Sequence, residues 1–211
     1  MTILASDNFT RANSTDLGTA WDPCTGEASA NGLKISSNTA VAADPNFDSA
    51  ETNNAATWPN DQYSECTFSS APSDGAGAGL GVTCRAATGA TVTFYRLVGH
   101  LGGYELGRKV AGVFTALSSG AGTTFTAGDK MRLEVRTNGA NCDWILKKNG
   151  TQFASGTDTA PIASGRTGVA NSSNTTTPAL SAWEGGDFIQ GTPVNPLISP
   201  MPYPATMIIH E

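Results

Sequence analysis

The stretch Thr126–Ala154, TAGDKMRLEVRTNGANCDWILKKNGTQFA, decides the fold class of this 211-residue chain. Apolar residues take every second position in its first half, at Met131, Leu133 and Val135. Charged residues take the positions between and after them, at Arg132, Glu134 and Arg136. A period of two is typical of an antiparallel strand with one face in a core. Asn-Gly pairs at Asn138 and Asn149 favour tight hairpin turns, so the stretch predicts a meander of antiparallel strands.

Similar alternation and turn residues recur on both sides of this meander. Outside it we expect strands at Leu4–Phe9, Leu33–Ser36, Gln62–Ser69, Leu80–Ala87, Thr91–Val98, Gly103–Lys109, Val113–Leu117, Arg166–Ala170 and Ala179–Phe188. The segment Ala40–Pro59 is typical of a loop. With about a dozen strands and 24 glycines, the chain is predicted to be all-β, with residues 1–188 forming one antiparallel β-sandwich.

Charge and hydropathy exclude several classes of partner. The formal net charge is −6 and the isoelectric point is about 4.8. Binding to nucleic acid or to an anionic membrane needs clustered Lys and Arg, so we expect neither partner. No apolar run approaches the roughly 20 residues of a membrane span, and the opening MTILAS is too short for the core of a secretory signal.

The four cysteines show no CxxC or His-interleaved spacing, which disfavours a zinc site. Two of them, Cys66 and Cys84, lie on predicted strands joined by a glycine-rich turn and are equidistant from Gly75. As cross-strand neighbours they would be close enough for a disulfide bond. The alternative is two buried free thiols.

No catalytic constellation is evident in the chain. Glycoside hydrolysis needs a pair of carboxylates across the scissile bond. The glutamates on predicted strands occur singly and are expected to be exposed: Glu65, Glu105, Glu134 and Glu184. A histidine-dependent nucleophile would have to use His100, in a predicted turn, or His210, near the C-terminus. We therefore expect a non-enzymatic protein without a cofactor, and glycan cleavage would require two of the glutamates to converge.

Aromatic rings that stack on sugars offer a different kind of site. The candidates for glycan binding are Trp58, Tyr63, Tyr95 and Tyr104, and the alternative for each is a structural role. Trp144 alternates in phase with Cys142 and Leu146, which places it in the core.

A calcium site is a weaker hypothesis. Residues 44–48, DPNFD, carry oxygen ligands at alternate positions, but a calcium loop also needs a glycine where Ser49 stands and a glutamate where Ala55 stands. An Asx-rich turn is the alternative, so no metal site is predicted.

Residues 189–211, IQGTPVNPLISPMPYPATMIIHE, differ in composition from the rest and carry five of the eleven prolines. Proline favours extended backbone and removes sheet donors, so this segment is predicted to be an extended C-terminal arm. Its apolar residues are the candidate partner-binding set: Leu197, Ile198, Met201, Tyr203, Met207, Ile208 and Ile209. The arm could dock on a neighbouring subunit or pack on its own domain.

Several motifs carry a resemblance to a known family. The opening DNFTRANSTDLGTAW, the run GYELGRKVAG and the late SAWEGGDF resemble concanavalin A-like lectin/glucanase jelly rolls, above all those found in bacteriophage virion proteins and bacterial surface proteins. The resemblance covers about residues 5–188 and rests on turns and strand alternation. The glucanase signature of the family, two glutamates flanking an aspartate on one strand, is missing.

The resemblance and the arm together imply a non-enzymatic virion structural protein, either a capsid decoration protein or a fibre-associated subunit. Its expected partners are other virion proteins, with the chain as a homo-oligomer or bound to a lattice, and its expected location is the virion, assembled in the host cytoplasm. The alternative is a lectin-like module that binds cell-surface polysaccharide. A glycoside hydrolase is the third hypothesis.

Overall fold

Fifteen strands occupy the part of the chain that the computed structural model describes, which is residues 1–24, 32–44, 48–73, 75, 78–88, 92–172 and 178–188. In chain order they are β1 (Thr2–Asp7), β2 (Trp21–Pro23), β3 (Leu33–Ser36), β4 (Thr39–Ala42), β5 (Ser49–Asn53), β6 (Gln62–Phe68), β7 (Leu80–Ala86), β8 (Phe94–His100), β9 (Gly103–Val110), β10 (Val113–Ala121), β11 (Lys130–Asn138), β12 (Asn141–Lys148), β13 (Thr151–Asp158), β14 (Arg166–Asn171) and β15 (Leu180–Asp187).

The strands form two antiparallel sheets. The first sheet has eight strands. Seven of them lie in the order β13-β12-β11-β6-β15-β4-β3, and the eighth, β1, pairs with β15. The second has seven strands in the order β10-β9-β8-β7-β14-β5-β2. The last two strands of the described residues, β14 and β15, therefore lie inside the sheets and not at their edges. No helix within the described ranges is long and apolar enough to cross a membrane.

The core lies between the two sheets. Met131, Leu133 and Val135 on β11 are fully buried in one hydrophobic cluster with Val82 and Leu97 of the second sheet. Their alternation with charged residues is the pattern from which the sandwich was predicted, and the all-β fold class is confirmed. Trp144, which its phase on the strand placed in the core, is buried in the same cluster, as are Trp21 and Trp183.

The hairpin turns follow from their sequences. Lys148 pairs with Thr151, which leaves Asn149 and Gly150 as a two-residue loop with φ of 50° and 80°. A type I′ turn requires positive φ at both central positions, and Asn followed by Gly adopts it at little cost. The predicted hairpin between β12 and β13 is therefore confirmed, although β13 extends to Asp158 and not only to Ala154.

The interpretation of Ala40–Pro59 as a loop is wrong. It contains most of β4 and all of β5, whose sequence SAETN has no apolar alternation. All five residues of β5 are nevertheless buried, because the strand pairs with β14 and β2 and its side chains hydrogen-bond internally. The hydroxyl of Ser49, for example, lies within hydrogen-bond distance of the side chain of Asn171 and of the carbonyl of Gly32. Polar burial of this kind leaves no hydrophobic period to detect.

The predicted pairing of Cys66 with Cys84 does not occur. β6 pairs with β11 and β15, whereas β7 pairs with β8 and β14, so the two cysteines lie in different sheets. The chain crosses between the sheets after β6 where a hairpin was expected. Cys66 and Cys84 are buried free thiols, and burial raises the pKa of both. The alternative of free thiols therefore describes the structure.

Candidate functional site

Three of the four aromatic candidates for glycan binding are buried. Tyr63 is 1% exposed and lies beneath the guanidinium of Arg132, which is 4.1 Å from the ring centre. Tyr95 is fully buried and donates to Asp158 at 2.7 Å, and Tyr104 packs edge-on against Phe153. Each ring face is covered by protein atoms, so none of these tyrosines presents a face for stacking on a sugar.

Trp58 is the remaining aromatic candidate, and it is only half-buried. It lies in the connection between β5 and β6, where its indole N–H donates to the carbonyl of Asn53 at 2.7 Å. One edge packs against Trp183 of the core, with ring centres 6.1 Å apart. These contacts hold the indole in one orientation while part of it stays open to solvent.

The accessible part of Trp58 lines a cleft of about 650 Å³ at one end of the sandwich. We call it the Trp58 cleft, and its lining residues are Leu4, Thr57, Trp58, Pro59, Asp61, Asp187 and Phe188. The volume falls in the range typical of small-molecule sites, and the lining combines apolar surface with a few polar groups. Three segments distant in sequence build it: the start of β1, the β5–β6 connection and the end of β15.

Hydrogen bonds order the β5–β6 connection and join it to the end of β15. Arg85 donates to the carbonyl of Asn60 at 2.9 Å, and Gln62 donates to the carbonyl of Pro59. The backbone N–H of Phe188 donates to the carbonyl of Asp61 at 2.9 Å. The walls of the Trp58 cleft are therefore ordered before a ligand enters, which reduces the entropic cost of binding.

Two carboxylates face the Trp58 cleft, each bound to the protein through one oxygen. Oδ1 of Asp61 accepts from the N–H of Thr137 at 2.7 Å, and Oδ1 of Asp187 accepts from the N–H of Thr2. Within the described residues, no hydrogen bond reaches Oδ2 of either side chain. The side chain of Asp61 is 44% exposed. Both carboxylates therefore keep acceptor capacity for a ligand.

A second constellation lies on the outer face of the eight-stranded sheet, where three glutamates converge on Arg132. Its guanidinium is 2.7 Å from Glu65, 3.7 Å from Glu134 and 3.3 Å from Glu184. We call this group the glutamate–arginine cluster. The expectation that these glutamates are isolated and exposed is wrong, because Glu65 is 4% exposed and Glu134 is 1% exposed.

Cations balance the charges of the glutamate–arginine cluster. Lys130 is 3.0 Å from Glu65, and Lys147 is 2.7 Å from Glu134. With Arg132 they supply three positive charges against three negative ones. Glycoside hydrolysis requires one carboxyl group that donates a proton and a second that faces it across the substrate. Carboxylates that are all paired with one guanidinium are poorly suited to these two roles. Their ion pairs instead connect β6, β11 and β15.

The remaining predicted residues lie apart from both constellations. Glu105 pairs with Arg96 at 2.8 Å on the other sheet. His100 hydrogen-bonds through Nδ1 to the neighbouring carbonyl of Leu101.

The calcium hypothesis concerns residues 44–48, of which 45–47 lie outside the described residues. Asp48 is already 2.9 Å from Arg96 and 3.6 Å from Lys109. The arm, residues 189–211, including Leu197, Ile198, Met201, Tyr203, Met207, Ile208 and Ile209, also lies outside the described residues.

No protein-family model matches the chain, and no curated protein matches it. Solved structures do resemble it. The GH43 BlXynB protein from Bacillus licheniformis has a TM-score of 0.54 over 87% of this chain at 13% identity, and the chain spans only 39% of that protein. A Bacillus licheniformis β-glucanase has a TM-score of 0.51 at 11% identity, with 89% of this chain and 99% of that chain covered.

The exoplasmic/lumenal domain of VIP36, in a Ca²⁺/Man2-bound form, has a TM-score of 0.53 at 10% identity, with 89% of this chain and 90% of that chain covered. At such identities the likeness shows the fold alone, which is the concanavalin-like jelly-roll sandwich found in lectins and glucanases. These structures give no support to the predicted link with bacteriophage virion proteins.

Proposed function

We propose that this protein is a lectin-like module that binds cell-surface polysaccharide in the Trp58 cleft. The observation that carries the proposal is a fixed, half-exposed indole in a cleft of about 650 Å³, beside two carboxylates that each keep one oxygen without a hydrogen bond from the described residues. It replaces the virion role as the leading function, because the argument for that role rests on the arm, which lies outside the described residues.

The chemistry of the Trp58 cleft suits a sugar. A pyranose ring presents C–H groups on one face, which pack on an indole, and hydroxyl groups around its edge, which donate to carboxylates. Asp61 and Asp187 stand beside Trp58 with acceptor oxygens free for such donors. The fold adds support by analogy, since the VIP36 domain of the same architecture is known in a Man2-bound form.

Glycan-array screening followed by calorimetry tests the proposal. We expect a bound glycan whose affinity falls at least about tenfold in Trp58→Ala, equivalent to about 1.4 kcal/mol, and is largely kept in Trp58→Phe. Phe keeps a ring for stacking but loses the bond to Asn53. Thermal melting of both variants checks that they fold. Absence of any bound glycan, or equal affinity of Trp58→Ala and the natural protein, would refute the proposal.

Glycan cleavage is the second candidate, because the convergence of Glu65, Glu134 and Glu184 on Arg132 meets the first requirement for it. The ion pairs argue against it, as do the low exposures of Glu65 and Glu134. We expect no release of reducing ends from β-glucan or xylan. Release that disappears in Glu184→Gln would establish the enzyme in place of the binding module.

A further inference from the structure

Among the described residues, the lining of the Trp58 cleft is acidic and includes no cation. Of its seven lining residues, Asp61 and Asp187 carry charge and both are negative. The nearest described guanidinium is that of Arg85, 3.8 Å from Asp61, but its side chain is 2% exposed and donates to the carbonyls of Asn60 and Ile162 on the inner side. A ligand in the cleft therefore meets carboxylate oxygens and an aromatic face.

This lining discriminates among sugars by charge. A uronic acid or a sulfated sugar would bring a negative charge toward two carboxylates and would be repelled. A neutral sugar can donate hydroxyl groups to Asp61 and Asp187 but forms no ion pair. An amino sugar with a free ammonium group donates up to three charge-assisted hydrogen bonds, which are shorter and stronger than neutral ones. An ammonium group close to Trp58 also gains attraction from the indole ring.

We propose that the Trp58 cleft is selective for amino sugars with a free ammonium group, such as the glucosamine units of a deacetylated polysaccharide. The inference rests on the proposed function and names its ligand class. The unpaired Oδ2 atoms of Asp61 and Asp187 bind the ammonium group, and Trp58 stacks on the sugar ring. N-acetylation removes the charge, so the acetylated sugar binds more weakly.

Calorimetry with three tetrasaccharides tests this selectivity: oligoglucosamine, oligo-N-acetylglucosamine and cellotetraose. At low ionic strength and below the pKa of the sugar amine, we expect oligoglucosamine to bind at least about tenfold more tightly than the other two. The preference should shrink as salt is added, because the Debye length is only about 10 Å at 0.1 M ionic strength. It should also shrink when the amine is deprotonated.

The net charge of −6 attracts any cation, so the control must remove the same charge elsewhere. Asp61→Asn with Asp187→Asn should reduce the preference to about threefold or less, whereas Asp16→Asn with Asp143→Asn, outside the cleft, should keep it. Thermal melting of both double variants checks that they fold. If the preference for oligoglucosamine falls equally in both double variants, net charge explains it and the inference is refuted.

The two proposals fail in different ways. If the neutral or acetylated tetrasaccharide binds as tightly as oligoglucosamine, with sensitivity to Trp58→Ala, the amino-sugar inference is refuted and the binding function stands. If no tetrasaccharide binds and the glycan array is also blank, both are refuted.

Discussion

Glu51 shows how a single buried carboxyl group couples stability to pH. Its side chain is 3% exposed, and Oε1 accepts from the N–H groups of Gly32 and Leu33. Burial raises its pKa from 4.5 to about 7, and the two backbone bonds oppose the rise only in part. Between these values the native state keeps a proton that the unfolded state has released. The free energy of unfolding therefore decreases as the pH rises through that range.

Glu51→Gln should abolish this dependence, because the amide oxygen can still accept from Gly32 and Leu33 but carries no charge. We expect the variant to be more stable than the natural protein at about pH 8, by up to about 3 kcal/mol, and similar to it at about pH 4. Urea unfolding at a series of pH values measures the difference. Parallel stability curves for the two proteins across this range would contradict the prediction.

The sequence revealed part of the candidate site at the residue scale. Trp58 was identified because its ring type suits a sugar, whereas the roles of Asp61 and Asp187 depend on contacts between distant segments. Nor could burial be anticipated for Tyr63, since its neighbour Arg132 reaches it only through the pairing of β6 with β11. The sequence shows the chemical type of each side chain, but the exposure of that side chain depends on how the sheets assemble.

At the element scale, the two faces of β11 stabilise the protein in different ways, one by apolar packing and the other by ion pairs. Its inner face supplies Leu133 and its neighbours to the core, while its outer face places Arg132 among three glutamates from β6, β15 and β11 itself. Removal of one cation from a buried cluster of ion pairs is costly, because the remaining charges no longer balance. Arg132 should therefore be essential to the stability of the first sheet.

Arg132→Met is expected to lower the free energy of unfolding by about 3 kcal/mol or more, since Glu65 and Glu134 lose a cation while buried. The matched control is Arg136→Met on the same strand and face. Among the described residues, Arg136 is paired only with Asp143, at 3.6 Å, and it is more exposed, so its loss should cost less than about 1 kcal/mol. Denaturant unfolding of both variants provides the comparison, and equal losses would show that the cluster contributes no more than a surface pair.

Elements with local signals were predicted well, and elements without them were missed. The hairpin from β12 to β13 follows from Asn149 and Gly150, whose backbone preferences act within four residues. β5 was missed because its polar residues are buried by partners from elsewhere. The neighbours of β6 were mistaken because nothing in the turn after it distinguishes a hairpin from a crossing between sheets.

At the scale of the whole molecule, both sheets depend on the C-terminal strands. β14 pairs with β7 on one side and β5 on the other, and β15 pairs with β6 and with β1 and β4. Together they also bring Val169, Leu180 and Trp183 into the core. The sequence predicted these strands but not their central positions, because strand order depends on long-range pairing.

A chain that ends at Gly165 should not fold, although it retains thirteen of the fifteen described strands. Without β14 and β15, the second sheet is divided into two parts, the first sheet is divided into two parts and a detached β1, and the core loses large side chains. We expect no cooperative urea transition and poor dispersion of amide proton signals. The matched control ends at Phe188 and keeps both strands, so it should unfold cooperatively. A cooperative transition in the shorter chain would contradict the prediction.

The late position of these central strands has a consequence for the protein during its synthesis. While the ribosome adds the first 165 residues, β5, β6 and β7 emerge with long, unpaired edges, and neither sheet can close. Native pairing must wait for β14 and β15, and their partners lie far back in the nascent chain, which makes folding slow. The nascent chain is therefore exposed to aggregation until β14 and β15 have emerged, and chaperone binding would protect it most in that interval.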